Sequence, residues 1–373
     1  MSATATATHV AIEQIHVSAY KVPTDQPEAD GTISWDSTTL ILVEIEGGGQ
    51  TGLGYTYGSE SIAHLIHGKL AKKIEGRNVM DIAGTWVEMV KSIRNLGRPG
   101  VSSMAISAVD CALWDLKARL FDLSLVTLIG GAHESVPVYG SGGFTTYSNK
   151  KLQEQLGGWA AQGISRVKMK IGSHPQEDLD RVRAARQAIG DDVELFVDAN
   201  GAFTRKQALA FARRLYEEFG VVWFEEPVSS DDLAGLHLLR NRGPGGMDIA
   251  AGEYGYDLRY FHNMLDAEAV DVLQADVTRC GGVTGFLQVG ALCSAHCLQL
   301  SAHCAPSEST HPCLAIMPLR PLEYFHDHHR IETMLFDGCR TPEKGALWPD
   351  LSRPGMGLEF KHADAARYLV WKS

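Results

Sequence analysis

The chain has 373 residues, a formal net charge of −11, 45% hydrophobic residues and 21% charged residues. This is the composition of a soluble globular protein, long enough for two domains or one large barrel. The acidic balance argues against nucleic acid or an anionic membrane as a partner, and no apolar run reaches the ~18 residues of a membrane span.

The N-terminal sequence and the cysteine pattern both predict the same cellular compartment. The opening stretch MSATATATHV lacks the basic and apolar regions of a secretory signal. The seven cysteines show no CxxC pair and no zinc-type spacing. We therefore expect a cytoplasmic protein with free thiols.

The first third of the chain changes from a strand pattern to a helix pattern. Strands are predicted within residues 10–58, in AIEQIHVSAYKV, STTLILVEIEG and TGLGYTYG. The turn GGGQTG matches GxGxxG in form, but a strand follows it, so it predicts a hairpin rather than a dinucleotide site. Residues 60–130 are predicted to be helical, with one apolar stripe along SSMAISAVDCALWDLKARLFD. We expect an α+β domain over residues 1–130.

The rest of the chain alternates short apolar runs with amphipathic helices such as TRKQALAFARRLYEEFG. The runs are VPVYGSGG, SRVKMKIG, VELFVDAN, VVWFEEPV, DIAAGE, VDVLQADV, LQLSAHC and PLEYF. Eight strands with helices between them predict an α/β fold, a TIM-type barrel over residues 131–340. Residues 341–373 are rich in Pro and Gly, and we expect them to return to the first domain.

Ionisable groups stand at almost every predicted strand end, where a barrel of this type carries its chemistry. They are Lys168, Lys170, Asp198, Glu225, Glu226, Glu253, Asp276, His303 and Glu323. Asp198, Glu225 and Glu253 follow one another at intervals of 27 and 28 residues, one βα unit each. A single acid at a strand end could simply be solvated. Three on neighbouring strands would repel one another unless a divalent cation lay between them, and an all-oxygen set suits Mg²⁺.

Two lysines lie on one face of the strand RVKMKIG. Lys168 and Lys170 are two residues apart, so both should point into the barrel mouth while Met169 points outward. Two ammonium groups close together, near Mg²⁺, depress each other's pKa, so we expect one to be neutral near pH 7 and to act as a base. The alternative is that both lysines are ion-paired with the three acids.

A second candidate pair is Asp276 with His303, at the ends of adjacent strands. A carboxylate bonded to one imidazole nitrogen orients the ring and leaves the other nitrogen for proton transfer. His303 alone could equally be a core histidine. Only Cys304 lies near these strand ends, so a zinc site is less expected than a magnesium site. We interpret the run FHDHH at 325–329 as surface or loop.

These motifs, in this order, resemble the enolase superfamily in its mandelate-racemase-like branch. The resemblance covers nearly the whole chain, through AISAVDCALWDLKAR, VKMKIG, VDAN, FEEP, AGE, DVTRCGGVTG, SAHCAPSE, PLEYF and RPGMGLEF. It implies a modified (β/α)7β TIM barrel with an N-terminal α+β capping domain. The muconate-lactonizing-like relatives carry a Lys where this chain has Asp276, so His303 is the expected second base.

The resemblance also implies a role for each strand-end group. It assigns Mg²⁺ to three carboxylates, Asp198, Glu225 and Glu253. It makes Lys170 the base on one face of the substrate and His303, with Asp276, the group on the other face. These assignments imply a small-molecule carboxylate as the substrate.

The remaining implied contacts surround the carboxylate of that substrate. Lys168 would touch it and lower the pKa of Lys170, and Glu323 would hydrogen-bond it if one of the two carries a proton. Loop 23–38 is the expected lid, with Trp35 as its anchor, and Asn200 is a further candidate contact. Closure of the lid would expel water.

The implied reaction removes the proton α to a carboxylate, through an enediolate. Much of the branch dehydrates acid sugars to 2-keto-3-deoxy acids, and a polar lid suits a hydroxylated substrate. We expect an acid-sugar dehydratase that acts as a homo-oligomer. A racemase or epimerase of a 2-hydroxy acid is the alternative, and a non-catalytic acid-binding barrel is a third possibility.

Overall fold

The computed structural model describes residues 9–373. The stretch from which we predicted no secretory signal therefore lies largely outside the described residues. The strands are β1 Gln14–Ala29, β2 Ser34–Gly47, β3 Gln50–Tyr57, β4 Val136–Gly142, β5 Arg166–Lys170, β6 Glu194–Asp198, β7 Val221–Glu225, β8 Asp248–Ala251, β9 Val272–Ala275, β10 Gln299–Ala302, β11 Leu322–Phe325, β12 Phe336–Asp337, β13 Ala346–Leu347, β14 Glu359–Phe360 and β15 Leu369–Lys372.

The helices follow the two patterns predicted from the sequence. They are α1 Glu60–Leu65, α2 Ala71–Ile74, α3 Ile82–Ser92, α4 Val101–Leu120, α5 Leu125–Ile129, α6 Asn149–Ala161, α7 Pro175–Ile189, α8 Arg205–Phe219, α9 Leu233–Arg242, α10 Leu258–Asp266, α11 Gly282–Ala295, α12 Pro306–Ala315, α13 His326–Leu335 and α14 His362–Ala365. A π-helical turn, Ile66–Leu70, joins α1 to α2, and a 3₁₀ turn, Ala366–Tyr368, precedes β15. Across the described chain, no helix combines the length and apolarity that crossing a membrane requires.

The N-terminal domain is an antiparallel sheet in the order β15-β1-β2-β3, covered by α4. The predicted hairpin is confirmed, because β2 and β3 pair up to Gly47 opposite Gln50. Helix α4 lies very close to β3. A Cβ atom at Gly54 would come within 2.4 Å of the Ala108 carbonyl oxygen, so this contact requires glycine. The apolar residues packed between this sheet and the helices of the domain form a core of their own, separate from the core of the barrel.

Eight parallel strands form the barrel, in the order β10-β9-β8-β7-β6-β5-β4-β11. At the seam between β10 and β11, the segment before β11 bonds to β10: Leu300 N donates to Pro318 O at 2.7 Å, and Arg320 N donates to Leu300 O at 2.8 Å. The predicted fold class is confirmed. The limits of the three predicted segments, 1–130, 131–340 and 341–373, stay a prediction.

Aromatic residues fill the barrel interior below its mouth. Tyr139, Phe196 and Trp223 form a buried cluster with Ala250 and Val272. Phe196 and Trp223 are stacked, with ring centroids 5.0 Å apart. This apolar floor leaves the C-terminal ends of the strands as the place where polar side chains can gather.

The capping domain is fixed to the barrel next to that mouth. Asp110 on α4 accepts hydrogen bonds from the backbone N (2.9 Å) and Oγ1 (2.7 Å) of Thr284, in the first turn of α11. Ser107 Oγ accepts another from Gly281 N at 2.9 Å. These bonds hold the loop between β9 and α11, which follows Asp276, against the capping domain.

Candidate active site

Strand register brings the predicted metal-binding carboxylates together. Lys170 on β5 pairs with Asp198 on β6, and Asp198 pairs with Glu225 on β7. Glu253 follows β8 after Gly252, whose φ is +136° and whose place cannot hold a side chain, because a Cβ there would lie 2.1 Å from Gln274 O. One carboxylate oxygen from each of Asp198, Glu225 and Glu253 lies within 4.8 Å of the others.

The donor set fits a hard divalent cation. All three acids are buried, and Oε1 of Glu225 has no hydrogen-bond partner within residues 9–373. Burial, followed by the charge of Asp198, raises the pKa of Glu225 to about 8. An unpartnered buried oxygen among clustered carboxylates is costly unless a cation binds there, and oxygen ligands are those that Mg²⁺ prefers.

Both lysines are ion-paired with this acid cluster. Lys168 Nζ lies 2.6 Å from Glu225 Oε2 and 2.8 Å from Glu323 Oε1, and Lys170 Nζ donates to Asp198 Oδ2. Burial lowers the pKa of each lysine, but the carboxylates outweigh burial and raise both values. As long as no cation neutralises the acids, attraction to them exceeds the repulsion between the two ammonium groups, and the neutral lysine expected beside Mg²⁺ stays a prediction.

The predicted Asp276–His303 pair is present. His303 Nδ1 lies 2.8 Å from Asp276 Oδ2, and Asp276 Oδ1 also accepts from Thr278 N at 2.7 Å. The other ring nitrogen, Nε2, faces Glu253 Oε2 at 3.1 Å and Glu323 Oε2 at 3.5 Å. Burial opposes a charged ring, but Cys304 and the surrounding carboxylates raise the pKa of His303 well above its ordinary value.

Glu323 anchors the position of Lys168. Its Oε1 accepts from Ser141 Oγ at 2.6 Å as well as from Lys168. Burial raises the pKa of Glu323, but Lys168, His303 and Lys170 outweigh it and lower the value below the ordinary range. Glu323 is therefore charged here, so its expected hydrogen bond to a substrate carboxylate requires a proton shared with the substrate.

A cavity of about 300 Å³ opens between the capping domain and this mouth. Lys170, His303 and Glu323 line it from the barrel. The two candidate substrate contacts, Trp35 and Asn200, line it as well. Asn200 has a φ of +45°, and its Oδ1 is buried without a partner in the described part of the chain. That oxygen is an acceptor available to a ligand.

The expected lid, loop 23–38, is a hairpin rather than a loop. Strands β1 and β2 pair at Pro23 opposite Ser37 and again at Glu28 opposite Trp35, with a register shift between these two points, and residues 30–33 form the turn. Trp35 Nε1 donates to Glu28 Oε2 at 2.8 Å. Asp30 Oδ1 accepts from the backbone N–H groups of Thr32 and Ile33 in the same turn. Several polar lid groups thus already have protein partners, which weakens the sequence argument from lid polarity to a hydroxylated substrate.

The interpretation of FHDHH as surface or loop is wrong. Helix α13 begins directly after β11, and His328 is buried against the cavity, stacked on Tyr57 with ring centroids 3.6 Å apart.

Arg279 was also missed. Its guanidinium lies over the Tyr254 ring, 3.7 Å from Glu253 and 3.4 Å from Asp276. The only sequence signal for Arg279 was its place three residues after Asp276.

The fold and the site together define an enolase-type protein: a parallel barrel with a capping domain, three clustered carboxylates, a K-x-K pair and a His–Asp pair. The family profile "Mandelate racemase / muconate lactonizing enzyme, N-terminal domain" matches residues 14–130, and "Enolase C-terminal domain-like" matches residues 151–365. The chain belongs to the mandelate racemase/muconate lactonizing enzyme family, as the sequence motifs predicted.

Known proteins resemble the chain over most of its length. It is 35% identical over 360 residues to a 3,6-anhydro-alpha-L-galactonate cycloisomerase of Streptomyces coelicolor, covering 93% of this chain and 96% of that protein. A mandelate racemase/muconate lactonizing enzyme-like protein from Rubrobacter xylanophilus has 57% identity and a TM-score of 0.95, over 96% of this chain and 100% of the other. An L-talarate dehydratase from Polaromonas sp. JS666, complexed with Mg and L-glucarate, has 29% identity and a TM-score of 0.87 over 98% of each chain.

Proposed function

We propose that this chain is a Mg²⁺-dependent dehydratase that converts an acid sugar to a 2-keto-3-deoxy acid. The order of groups around the mouth carries the proposal. Lys170 stands on β5 and His303 after β10, and the carboxylates of Asp198, Glu225 and Glu253 stand on the strands between them. A substrate held at those carboxylates would have a proton-transfer group on either side.

The relatives support both the metal and the substrate class. The L-talarate dehydratase of similar fold was crystallised with Mg and an acid sugar, which agrees with the Mg²⁺ and dehydratase predictions. The cavity suits a small anion with hydroxyl groups, because it offers the Lys170 ammonium, the free Asn200 Oδ1 and the hydroxyls of Ser37 and Thr39. A small-molecule carboxylate is therefore the expected ligand.

In the proposed mechanism Asp198, Glu225 and Glu253 would hold Mg²⁺. When bound, the ion would supply positive charge to the substrate carboxylate. It would also neutralise the three carboxylates, whose negative charge otherwise keeps the lysines protonated. Lys168, fixed by Glu323, donates a hydrogen bond where charge develops on the carboxyl group.

Lys170 and His303 carry out the proton transfers. Lys170 takes the proton from C2 of the substrate, and the electron pair moves into the carboxyl group. His303 Nε2 then protonates the hydroxyl on C3, the C3–O bond breaks, and water leaves. The resulting enol becomes the 2-keto acid when C3 takes up a proton. Asp276 keeps Nε2 turned toward the substrate by holding Nδ1.

Cycloisomerisation is a second candidate, favoured by the relative that is 35% identical and bears that activity. The same loss of the C2 proton and cleavage of the C3–O bond would open a ring if the departing oxygen belonged to a ring ether. His303 would then protonate that oxygen, and no water would be lost.

A library of mono- and diacid sugars, incubated with Mg²⁺ in D₂O, tests the proposal. Dehydration gives a 2-keto acid that has lost water and carries deuterium at C3. Cycloisomerisation gives a keto acid without loss of water, and racemisation gives deuterium at C2 with no keto product. Lys170→Ala should abolish turnover, whereas Lys150→Ala, at an exposed position, should not. Absence of any keto product from the whole library would reject the dehydratase.

We further propose that the protein works in the cytoplasm as a homo-oligomer. All seven cysteines, which lie within the described residues, are free thiols, as a reducing compartment favours. Trp348 and Leu351 are exposed apolar side chains that line the same surface cavity, and a second subunit covering them would remove apolar surface from water. Sedimentation equilibrium tests the assembly.

A further inference from the structure

Three different ligand-type side chains converge where β10 and β11 end. His303 Nε2 lies 3.3 Å from Cys304 Sγ, Cys304 Sγ lies 3.4 Å from Glu323 Oε2, and that oxygen lies 3.5 Å from His303 Nε2. All three residues are more than nine-tenths buried, and all three line the cavity. One nitrogen, one sulfur and one oxygen thus form a nearly equilateral triangle facing a space that a small ligand can enter.

The size of this triangle matches one face of a tetrahedral zinc site. Bond lengths of ~2.0–2.1 Å to nitrogen, ~2.3 Å to sulfur and ~2.0–2.2 Å to oxygen, at tetrahedral angles, separate the ligand atoms by about 3.4–3.6 Å. The observed distances differ from these by only a few tenths of an ångström. A zinc ion could bind with little movement of the chain, and its fourth position would face the cavity.

The neighbouring hydrogen bonds orient the three side chains as such a site requires. Asp276 holds His303 Nδ1 at 2.8 Å, so Nε2 is the ring nitrogen that can bind a metal once it has lost its proton. Ser141 holds the other carboxylate oxygen of Glu323 at 2.6 Å. Cys304 has a φ of +52°, and its Sγ contacts the His303 ring although consecutive residues of an extended strand point to opposite faces.

We propose that His303, Cys304 and Glu323 form a second cation site, selective for Zn²⁺ over Mg²⁺, whose occupation stops turnover. Thiolate and imidazole ligands favour zinc, whereas the Asp198–Glu225–Glu253 set consists of oxygen alone and favours magnesium. On binding, the Cys304 thiol and His303 Nε2 each give a proton to solvent, and Zn–S, Zn–N and Zn–O bonds form to Cys304, His303 and Glu323. The binding stands independently, whereas the loss of turnover rests on the proposed function, in which His303 is the proton donor.

The test titrates the Mg²⁺-saturated protein with Zn²⁺, and with Co²⁺ as a spectroscopic probe. We expect one tightly bound Zn²⁺ that excess Mg²⁺ does not displace, a thiolate-to-cobalt charge-transfer band, and loss of turnover as Zn²⁺ binds. Mutating a hydrogen-bond partner of a metal ligand typically weakens metal binding by ~10–100-fold. Cys304→Ser removes a ligand itself, so it should weaken Zn²⁺ binding by more than that. It should also remove the band, and Zn²⁺ should no longer suppress the turnover that this variant has in Mg²⁺.

Cys297→Ser is the matched control, because Cys297 is an exposed thiol. That variant should bind Zn²⁺ and Co²⁺ as the unmodified chain does. The proposal is overturned if Cys304→Ser binds Zn²⁺ with unchanged affinity, if no thiolate band forms, or if Mg²⁺ displaces the ion. Failure of every acid sugar to react would instead contradict the proposed function, while the binding and spectroscopic results would still decide the site.

Discussion

Asp110 offers a quantitative test of how the capping domain is held to the barrel. It is wholly buried on α4 and accepts two hydrogen bonds from Thr284 at the start of α11. Burial raises its pKa from the ordinary 3.8 to about 7, although the bonds from Thr284 oppose that rise. Asp110→Asn keeps the size and one acceptor oxygen of the side chain but removes its titration.

The expected magnitude follows from the pKa of Asp110. Because this pKa is raised, the folded protein keeps a proton that the unfolded chain has lost between pH 4 and pH 7. The contribution of Asp110 to the free energy of unfolding is fully present below pH 3.8 and is lost as the pH rises through 7. The slope is at most ~1.4 kcal/mol for each pH unit and flattens near pH 7, so the native chain should lose about 2 kcal/mol relative to Asp110→Asn between pH 5 and pH 7.

Urea unfolding of both proteins at pH 5, 6, 7 and 8 measures this difference. The free energy of unfolding of Asp110→Asn, minus that of the native chain, should grow up to pH 7 and level off by pH 8. Asp192→Asn, at an exposed position, should follow the native chain. Asp110→Ala should be destabilised at every pH, since two buried donors of Thr284 lose their acceptor at ~1–3 kcal/mol each. A difference for Asp110→Asn that does not change with pH would refute the reasoning.

Three further predictions concern the site. Asp198→Ala should abolish Mg²⁺ binding, measured by calorimetry, together with turnover, and EDTA should do the same to the native chain; full activity without metal would contradict this. In D₂O, Lys170→Ala should lose exchange of the C2 proton together with turnover, whereas His303→Asn should retain that exchange and form no keto acid, as seen by NMR; loss of C2 exchange in both variants would contradict the separate roles. Asp276→Asn should lower kcat by ~10²–10⁴-fold because His303 loses its preferred tautomer, and an unchanged kcat would make the pair merely structural.

The position of the site could be predicted from the sequence because the barrel repeats. Each βα unit returns the chain to the same mouth, so the intervals between Asp198, Glu225 and Glu253 were enough to place three carboxylates together. Alternation along β5 was likewise enough to point Lys168 and Lys170 the same way. Periodicity is a local property, and these inferences required nothing else.

The charge state of the site could not be predicted in the same way. The pKa of Lys170 depends on its contact with Asp198 and on the other acids around it, which no spacing reports. The burial of His328 was missed because the polar run FHDHH suggests a loop after β11. Helix α13 instead begins directly after that strand, and its first turn buries His328. The hairpin at 23–38 was missed because its polar residues, with Pro23 and Pro27 among them, lack the apolar alternation that predicts strands.

The pairing of β15 with β1, which joins Ala19 to Trp371, has a consequence for the order of synthesis. Strands β1–β3 leave the ribosome early, but β15 follows Tyr57 by about 310 residues. At ~5–20 residues per second, one edge of the capping sheet waits ~15–60 s for its partner strand. During that time the backbone groups of β1 are open to any other extended segment, including the same strand of a neighbouring nascent chain. Slow translation late in the message should therefore favour aggregation more than slow translation early in it.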